Sequence, residues 1–192
     1  MPTLVYLDDI IFLIFIITFS FMVIANIIDK RKKRTPKSNP FISFIVPTYN
    51  DGESLPNTIK SIFNSYKKEK LEVVVINDKS KESTADILKT IAKEYPIKIL
   101  NNSENIGKAR SVNKAFESTK GEIIWIVDSD SELRKEVVDE IIARLDDPKV
   151  GAASCRYMPK NKGFLPSMQA IEYGMLGLIQ TEHNHTSTVA VW

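Results

Sequence analysis

Residues 71–80 read LEVVVINDKS, an almost unbroken apolar run rich in β-branched residues that stops abruptly at Asn77-Asp78-Lys79-Ser80. A strand apolar on both sides belongs to a parallel sheet covered on both faces. Upstream, FISFIV (41–46) repeats the pattern and is ended by Pro47; downstream, IKIL (97–100), EIIWIV (122–127) and VGAASCRY (150–157) follow it. Between these runs the spacing turns helical. Leu55, Ile59, Ile62, Phe63 and Tyr66 predict a helix over 55–66, and Ser83-Thr-Ala-Asp86 reads as a capping box opening one to about Lys93. Further helices are predicted over 109–118 and 136–145. Strand and helix in strict alternation, without internal repeats, predict an α/β fold with a mainly parallel central sheet and right-handed crossovers.

The chain has 192 residues, 43% hydrophobic and 26% charged, which suits a folded protein. Its net charge of +2 is unevenly spread. Residues 1–28 carry only Asp8 and Asp9, whereas 29–40 carry Asp29 against Lys30, Arg31, Lys32, Lys33, Arg34 and Lys37. The remainder is close to neutral, which takes most of the weight from a general nucleic-acid binder, since that needs a basic face on its folded domain, and no nucleic-acid partner is expected. A single cysteine, Cys155, excludes an intrachain disulfide and a cysteine-based zinc cluster.

From Ile10 to Ile28 runs IIFLIFIITFSFMVIANII, free of charge. With Leu4–Leu7 extending it, such a helix reaches across a hydrocarbon core of roughly 30 Å. Residues 4–28 are therefore expected to be a transmembrane helix, 29–40 a basic juxtamembrane linker, and 41–192 one domain. A start without Lys or Arg argues against a cleaved signal peptide. Basic residues stay on the cytoplasmic side, which places the N-terminus outside and residues 29–192 in the cytoplasm of a single-pass membrane protein. There the sequons at Asn101 and Asn184 would not be modified.

Ligands of open α/β sheets sit at the carboxyl ends of the strands. Those ends here are Pro47-Thr-Tyr-Asn-Asp51, Asn77-Asp78-Lys-Ser80, Asn101-Asn-Ser-Glu-Asn105 and Asp128-Ser-Asp130. Asp128 and Asp130 can share a divalent cation, or divide a metal and a ribose between them; a solvated turn or a helix cap is the plain alternative. Asp78 could equally close an Asx-turn. Asn105-Ile-Gly107-Lys108 opens a helix whose start favours anions, or is simply a cap with a surface lysine. Together the loops offer carboxylates for a metal, a basic helix start for phosphate, and Tyr49 and Asp78 for a base. That inventory suits a nucleotide-diphosphate donor, while the Gly-rich dinucleotide fingerprint and the P-loop are both absent.

FIVPTYNDGESL (44–55), VVVINDKSKEST (73–84), NIGKARSVNKAF (105–116) and IIWIVDSDSEL (123–133), in this order and each behind a strand, resemble the family 2 glycosyltransferases of the GT-A fold. The resemblance implies that Thr48, Tyr49, Asp51, Asp78 and Asp128 contact the nucleotide-sugar and that Lys108 lies near the diphosphate. It also implies that Asp128 and Asp130 bind Mg²⁺ or Mn²⁺. Residues 151–180, with Gln169, Glu172 and Tyr173 on a helix, resemble the processive membrane-bound branch of hyaluronan, chitin, cellulose and poly-N-acetylglucosamine synthases. The implied activity is inverting transfer of a hexose from a nucleotide-diphospho-sugar, a UDP-sugar first, to a polysaccharide or lipid acceptor.

Two departures accompany the likeness. Asp51 stands where many members have Glu. The family's general-base motif, Glu-Asp or Thr-Glu-Asp, and the Gln-x-x-Arg-Trp motif of the processive branch do not occur before Trp192. The expectation is thus a donor-binding part with its general base beyond Trp192, or one completed by a partner chain. A non-catalytic membrane-anchored subunit that binds nucleotide-sugar is the alternative. His183 and His185 lack a third metal ligand and read as surface residues, Cys155 as a small packed side chain, Trp125 as core.

Overall fold

The computed structural model describes the backbone of residues 2–31, 35–81, 83–155, 157–160 and 163–173. In the first segment the side chains of residues 8–21, 23 and 24 are described. Expectations for Lys32–Arg34, for both histidines and for the sequon at Asn184 fall outside these residues. The chain divides into two compact units, Pro36–Asp146 and Met1–Thr35 with Asp147–Trp192.

The first unit is a four-stranded, wholly parallel sheet of order β3-β2-β1-β4. Its elements are β1 (Ile42–Thr48), α2 (Leu55–Ser65), β2 (Leu71–Asn77), α3 (Thr84–Glu94), β3 (Ile97–Asn101), α4 (Lys108–Phe116), β4 (Ile123–Ile126) and α5 (Val137–Leu145). The near-continuous apolar strands are explained by burial on two faces. Ile42, Phe44, Val46, Val73 and Val75 pack with Leu55, Ile59, Ile62, Leu88, Ile91, Val138 and Ile142 of α2, α3 and α5. Ile45, Val74 and Ile76 turn the other way, onto Ala115 and Val112 of α4. Trp125, expected as core, is partly buried and packs against the core, its ring stacked on Phe44 with centroids 5.6 Å apart.

Register places the functional ends together. Thr48 pairs with Asn77 and Asn77 with Asn101, while β1 meets β4 from Ile42↔Ile123 to Ile45↔Ile126. Pro47 does not end β1, contrary to expectation. It lies past the last β1–β4 pair, where no ladder bond needs its missing N–H. Ser83 precedes α3 without a side-chain cap hydrogen bond, so the expected capping box is not made. The linker is lashed to this unit at its end: the N–H groups of Lys37 and Ser38 donate to Asp146, and Tyr66 Oη lies 3.0 Å from the Pro40 carbonyl.

In the second unit α1 (Pro2–Arg31) is a single helix. Ile10, Ile11, Phe12, Leu13 and Ile14, five consecutive residues, are each more than half exposed, so no one side of the helix is packed. Thr18 satisfies its hydroxyl on the Ile14 and Phe15 carbonyls of its own helix. Among the described residues no helix is long and apolar enough to cross a membrane; the side chains of 4–7, 22 and 25–28, within the expected span, are not among them. The strand expected over 150–157 does not form in the described part, 150–155 and 157. Gly151-Ala-Ala-Ser154 offers little side-chain area to bury, and strand propensity without a packed face counts for little. Residues 164–173 are helical and carry Gln169, Glu172 and Tyr173, as the pattern predicted.

Candidate functional site

Each loop of the site is positioned by a specific local tie. Behind β2, Asn77 closes the turn: its Oδ1 accepts from the Ser80 N–H at 3.0 Å and the Ser80 hydroxyl at 2.6 Å. Asn77 thus takes the turn-closing role that was open to Asp78. Lys79 is held at φ 62 and Asn50, in the loop behind β1, at φ 52. The two loops are clasped, for the Asn50 N–H donates to Ser80 Oγ and the Lys81 N–H to Asn50 Oδ1.

Asp78 is released for other work and is only 4% exposed. Its Oδ1 accepts from Asn102 Nδ2 at 2.8 Å and the Ile106 N–H at 2.9 Å, and its Oδ2 from the Gly107 N–H at 2.8 Å. Burial alone would raise its pKa. Hydrogen bonds from Ile106, Asn102, Gly107 and Ser111 outweigh that and hold the carboxyl below the ordinary carboxylate value, so it is ionised at neutral pH. The clamp fixes the turn before α4. Gly107 sits at φ 85, a conformation that favours glycine, and nothing lies within 4 Å of where its Cβ would be, so backbone rather than space demands it.

Lys108, the next residue, reaches back across the sheet edge to Asp128, with Nζ 2.5 Å from Oδ1. The Asp128–Asp130 loop is held from below by α2. Thr58 Oγ1 donates to the Ser129 carbonyl at 2.7 Å and the Leu133 N–H to Ser61 Oγ at 2.9 Å. Ser129 Oγ in turn donates to Asp51 Oδ2 at 2.6 Å, joining the loops of β1 and β4.

All seven residues singled out in the sequence, Thr48, Tyr49, Asp51, Asp78, Lys108, Asp128 and Asp130, line one open cleft of about 330 Å³ at the carboxyl ends of the strands. Pro47, Ser111 and Ser129 complete it; the two serines were not foreseen as site residues, both being small polar residues whose orientation depends on the fold. Arg110, close behind Lys108 in sequence, is not part of the lining. One buried polar side-chain atom among the described residues has no hydrogen-bond partner, Thr48 Oγ1. Thr48 is 3% exposed and lies in the cleft lining.

Four carboxylates and one ammonium stand in the lining, so its charged groups are mainly hard oxygen donors. No group of three or more His, Cys, Asp or Glu is gathered for a metal among the described residues. The pair Asp128 and Asp130 nevertheless fits Mg²⁺ or Mn²⁺, since such ions take one or two protein carboxylates and complete their shell with water and substrate phosphates.

A family model described as Glycosyl transferase family 2 matches residues 43–189. Poly-beta-1,6-N-acetyl-D-glucosamine synthase of Staphylococcus aureus (strain COL) is 28% identical over 137 residues, 70% of this chain and 33% of that protein. The mannosyltransferase PcManGT from Pyrobaculum calidifontis, solved with GDP-Man and Mn²⁺, superimposes with a TM-score of 0.64 at 28% identity, covering 74% of this chain and 44% of that one. S. aureus TarS 1–349, solved with UDP-GlcNAc, gives 0.52 at 26%, covering 62% and 38%. The chain spans about a third of the length of the curated relatives it matches.

Proposed function

The chain belongs to glycosyl transferase family 2, and from that premise we propose that its cleft binds a nucleotide-diphospho-sugar, a UDP-sugar first, together with Mg²⁺ or Mn²⁺. One observation carries the reading: side chains from four successive β–α units converge on a single cleft at the carboxyl ends of the strands. Asp128 and Asp130 would hold the cation, whose part is to offset the charge growing on the departing diphosphate. Lys108 supplies a point charge for phosphate at the start of α4, where the helix end favours anions as well. Tyr49 and Thr48 face the nucleoside, and Asp78 and Asp51 accept from its donors. Donors of both base types occur in the solved relatives, GDP-Man in PcManGT and UDP-GlcNAc in TarS.

The reaction is inverting transfer of the sugar to a polysaccharide or lipid hydroxyl. Asp78, held ionised by its hydrogen bonds, is a weak proton acceptor, Asp51 is engaged by the Ser129 hydroxyl and the nucleoside, and Asp128 and Asp130 are given to the cation. Deprotonation of the acceptor therefore falls to a carboxylate outside this cleft, from residues beyond those described or from a partner chain. α1 anchors the protein in the cell membrane, N-terminus outside and residues 29–192 in the cytoplasm. The support is its apolar side chains exposed on every side and the basic run at its end.

Calorimetric titration of the full chain in a non-ionic detergent tests the donor site. UDP-GlcNAc or GDP-mannose is expected to bind with Mn²⁺ and not with EDTA, and Asp130→Ala to weaken binding about tenfold or more. Absence of heat for both donors in the wild type, with Mn²⁺ present, would remove the reading.

A further inference from the structure

Asn102 follows β3 directly, is 5% exposed, and does not line the cleft. Every polar group of its side chain is used. Nδ2 donates to Asp78 Oδ1 at 2.8 Å and to Ser111 Oγ at 2.9 Å; Oδ1 accepts from Lys114 Nζ at 2.8 Å. Its backbone N–H donates to the Asn77 carbonyl at 2.9 Å, which ties the residue to the strand that delivers Asp78.

One amide thus stands between two opposite charges. The Lys114 ammonium pulls on its oxygen, which makes its NH₂ group a stronger donor to the Asp78 carboxylate. A direct Lys–Asp pair at this depth would need a desolvated ammonium. With the amide as spacer, Lys114 stays exposed on α4 while Asp78 stays buried and charged. Asp78 can then also accept from the Ile106 and Gly107 N–H groups, and that turn launches Lys108 into the cleft.

We propose that Asn102 is a positioning residue for donor binding, relaying the charge of Lys114 from outside the cleft to Asp78 and, through the turn at 106–107, setting the place of Lys108. The proposal rests on the donor-site reading above. A purely structural Asn102 would affect melting temperature alone. A relay would also affect affinity, and would make Lys114, which touches no part of the cleft lining except through Asn102 among the contacts described, matter to a ligand it does not meet.

The test is a double-mutant cycle on the full chain, with UDP titrated in saturating Mn²⁺ and melting temperature measured alongside. N102A is expected to weaken UDP about tenfold and K114M about threefold, with the double variant no weaker than N102A alone. Unchanged UDP affinity in N102A beside a lowered melting temperature would overturn the proposal. So would additive losses, which would mean that Lys114 reaches the ligand by itself. Should N102A not fold, the exposed K114M decides: unchanged affinity there overturns the relay. A wild type that binds neither UDP nor GDP defeats the donor-site reading and the relay together, an outcome distinct from the others.

Discussion

Replacing Lys108 by Met should move two affinities in opposite directions. Its ion pair with Asp128 is made by side chains that are 61% and 39% exposed, so it contributes only about 0.2–1 kcal/mol to stability. The fold therefore survives the change. What does alter is the charge of the lining, where Lys108 is, among the described residues, the cation beside Asp51, Asp78, Asp128 and Asp130. An ammonium about 4 Å from a divalent ion is repelled by about 4 kcal/mol per unit of charge at an effective dielectric of ~20. Rotation of the side chain relieves most of that, and a gain of about three- to tenfold in affinity for Mn²⁺ alone remains. With the cation in place the same ammonium has a diphosphate to meet, and its loss costs UDP about 1.5–3 kcal/mol, roughly 10- to 150-fold. Free Mn²⁺ counted by electron paramagnetic resonance gives the first affinity and calorimetry the second; Lys108→Arg, which keeps the charge, should stay within a few-fold of wild type in both. If Lys108→Met weakened Mn²⁺ and UDP alike, the lysine would be holding the carboxylates in shape and not competing for them.

Three further outcomes are expected. Thr58→Val removes the hydroxyl that holds the Ser129 carbonyl from α2, so Mn²⁺ affinity should fall several-fold with little change in urea midpoint; unaltered Mn²⁺ binding would mean that the Asp128–Asp130 loop holds itself. Gly121→Ala puts a Cβ 2.5 Å from the Ser43 backbone nitrogen, at the strand ends opposite the cleft. It should lower stability by about 1–3 kcal/mol in urea unfolding while leaving UDP binding intact in the protein that folds. Asp78 has its pKa depressed by folding, so its contribution is fully present above the ordinary carboxylate pKa and is lost as pH falls through the lower folded value. Asp78→Asn should accordingly shrink the acid-side slope of stability against pH, and an unchanged slope would show that Asp78 is not the group that titrates.

Much of this architecture was legible because parallel strands buried on both faces leave a direct trace. LEVVVIN is β2 residue for residue, and the polar loops after β1, β2 and β4 each supply cleft residues, whereas the one after β3, residues 101–105, does not. Where the reading slipped, the missing information was tertiary. Pro47 looks like a stop until the shortness of β4 shows that no partner needs its N–H. The run 150–157 has strand-like composition, yet small side chains give it no face to bury. Within the site, the charged residues on loops and at the start of α4 were found, and the two serines and the residues deeper in the helices were not. Ser111, Thr58 and the relay lysine Lys114 act through the face their helix turns toward the strand ends, which no spacing of polar residues announces. Asn77 and Asp78 are adjacent and chemically alike, and only the hydrogen bonds tell that the amide closes the turn while the carboxylate clamps the next one.

The most direct test is electron–nuclear double resonance on Mn²⁺ bound to the full chain with UDP, the protein carrying ¹³C in its aspartate carboxyl groups. The account predicts that one Mn²⁺ couples to ³¹P of the diphosphate and to carboxylate ¹³C at once, with the carbon coupling gone in Asp128→Asn/Asp130→Asn. Phosphorus coupling without any carboxylate carbon would place the metal on free nucleotide and contradict it.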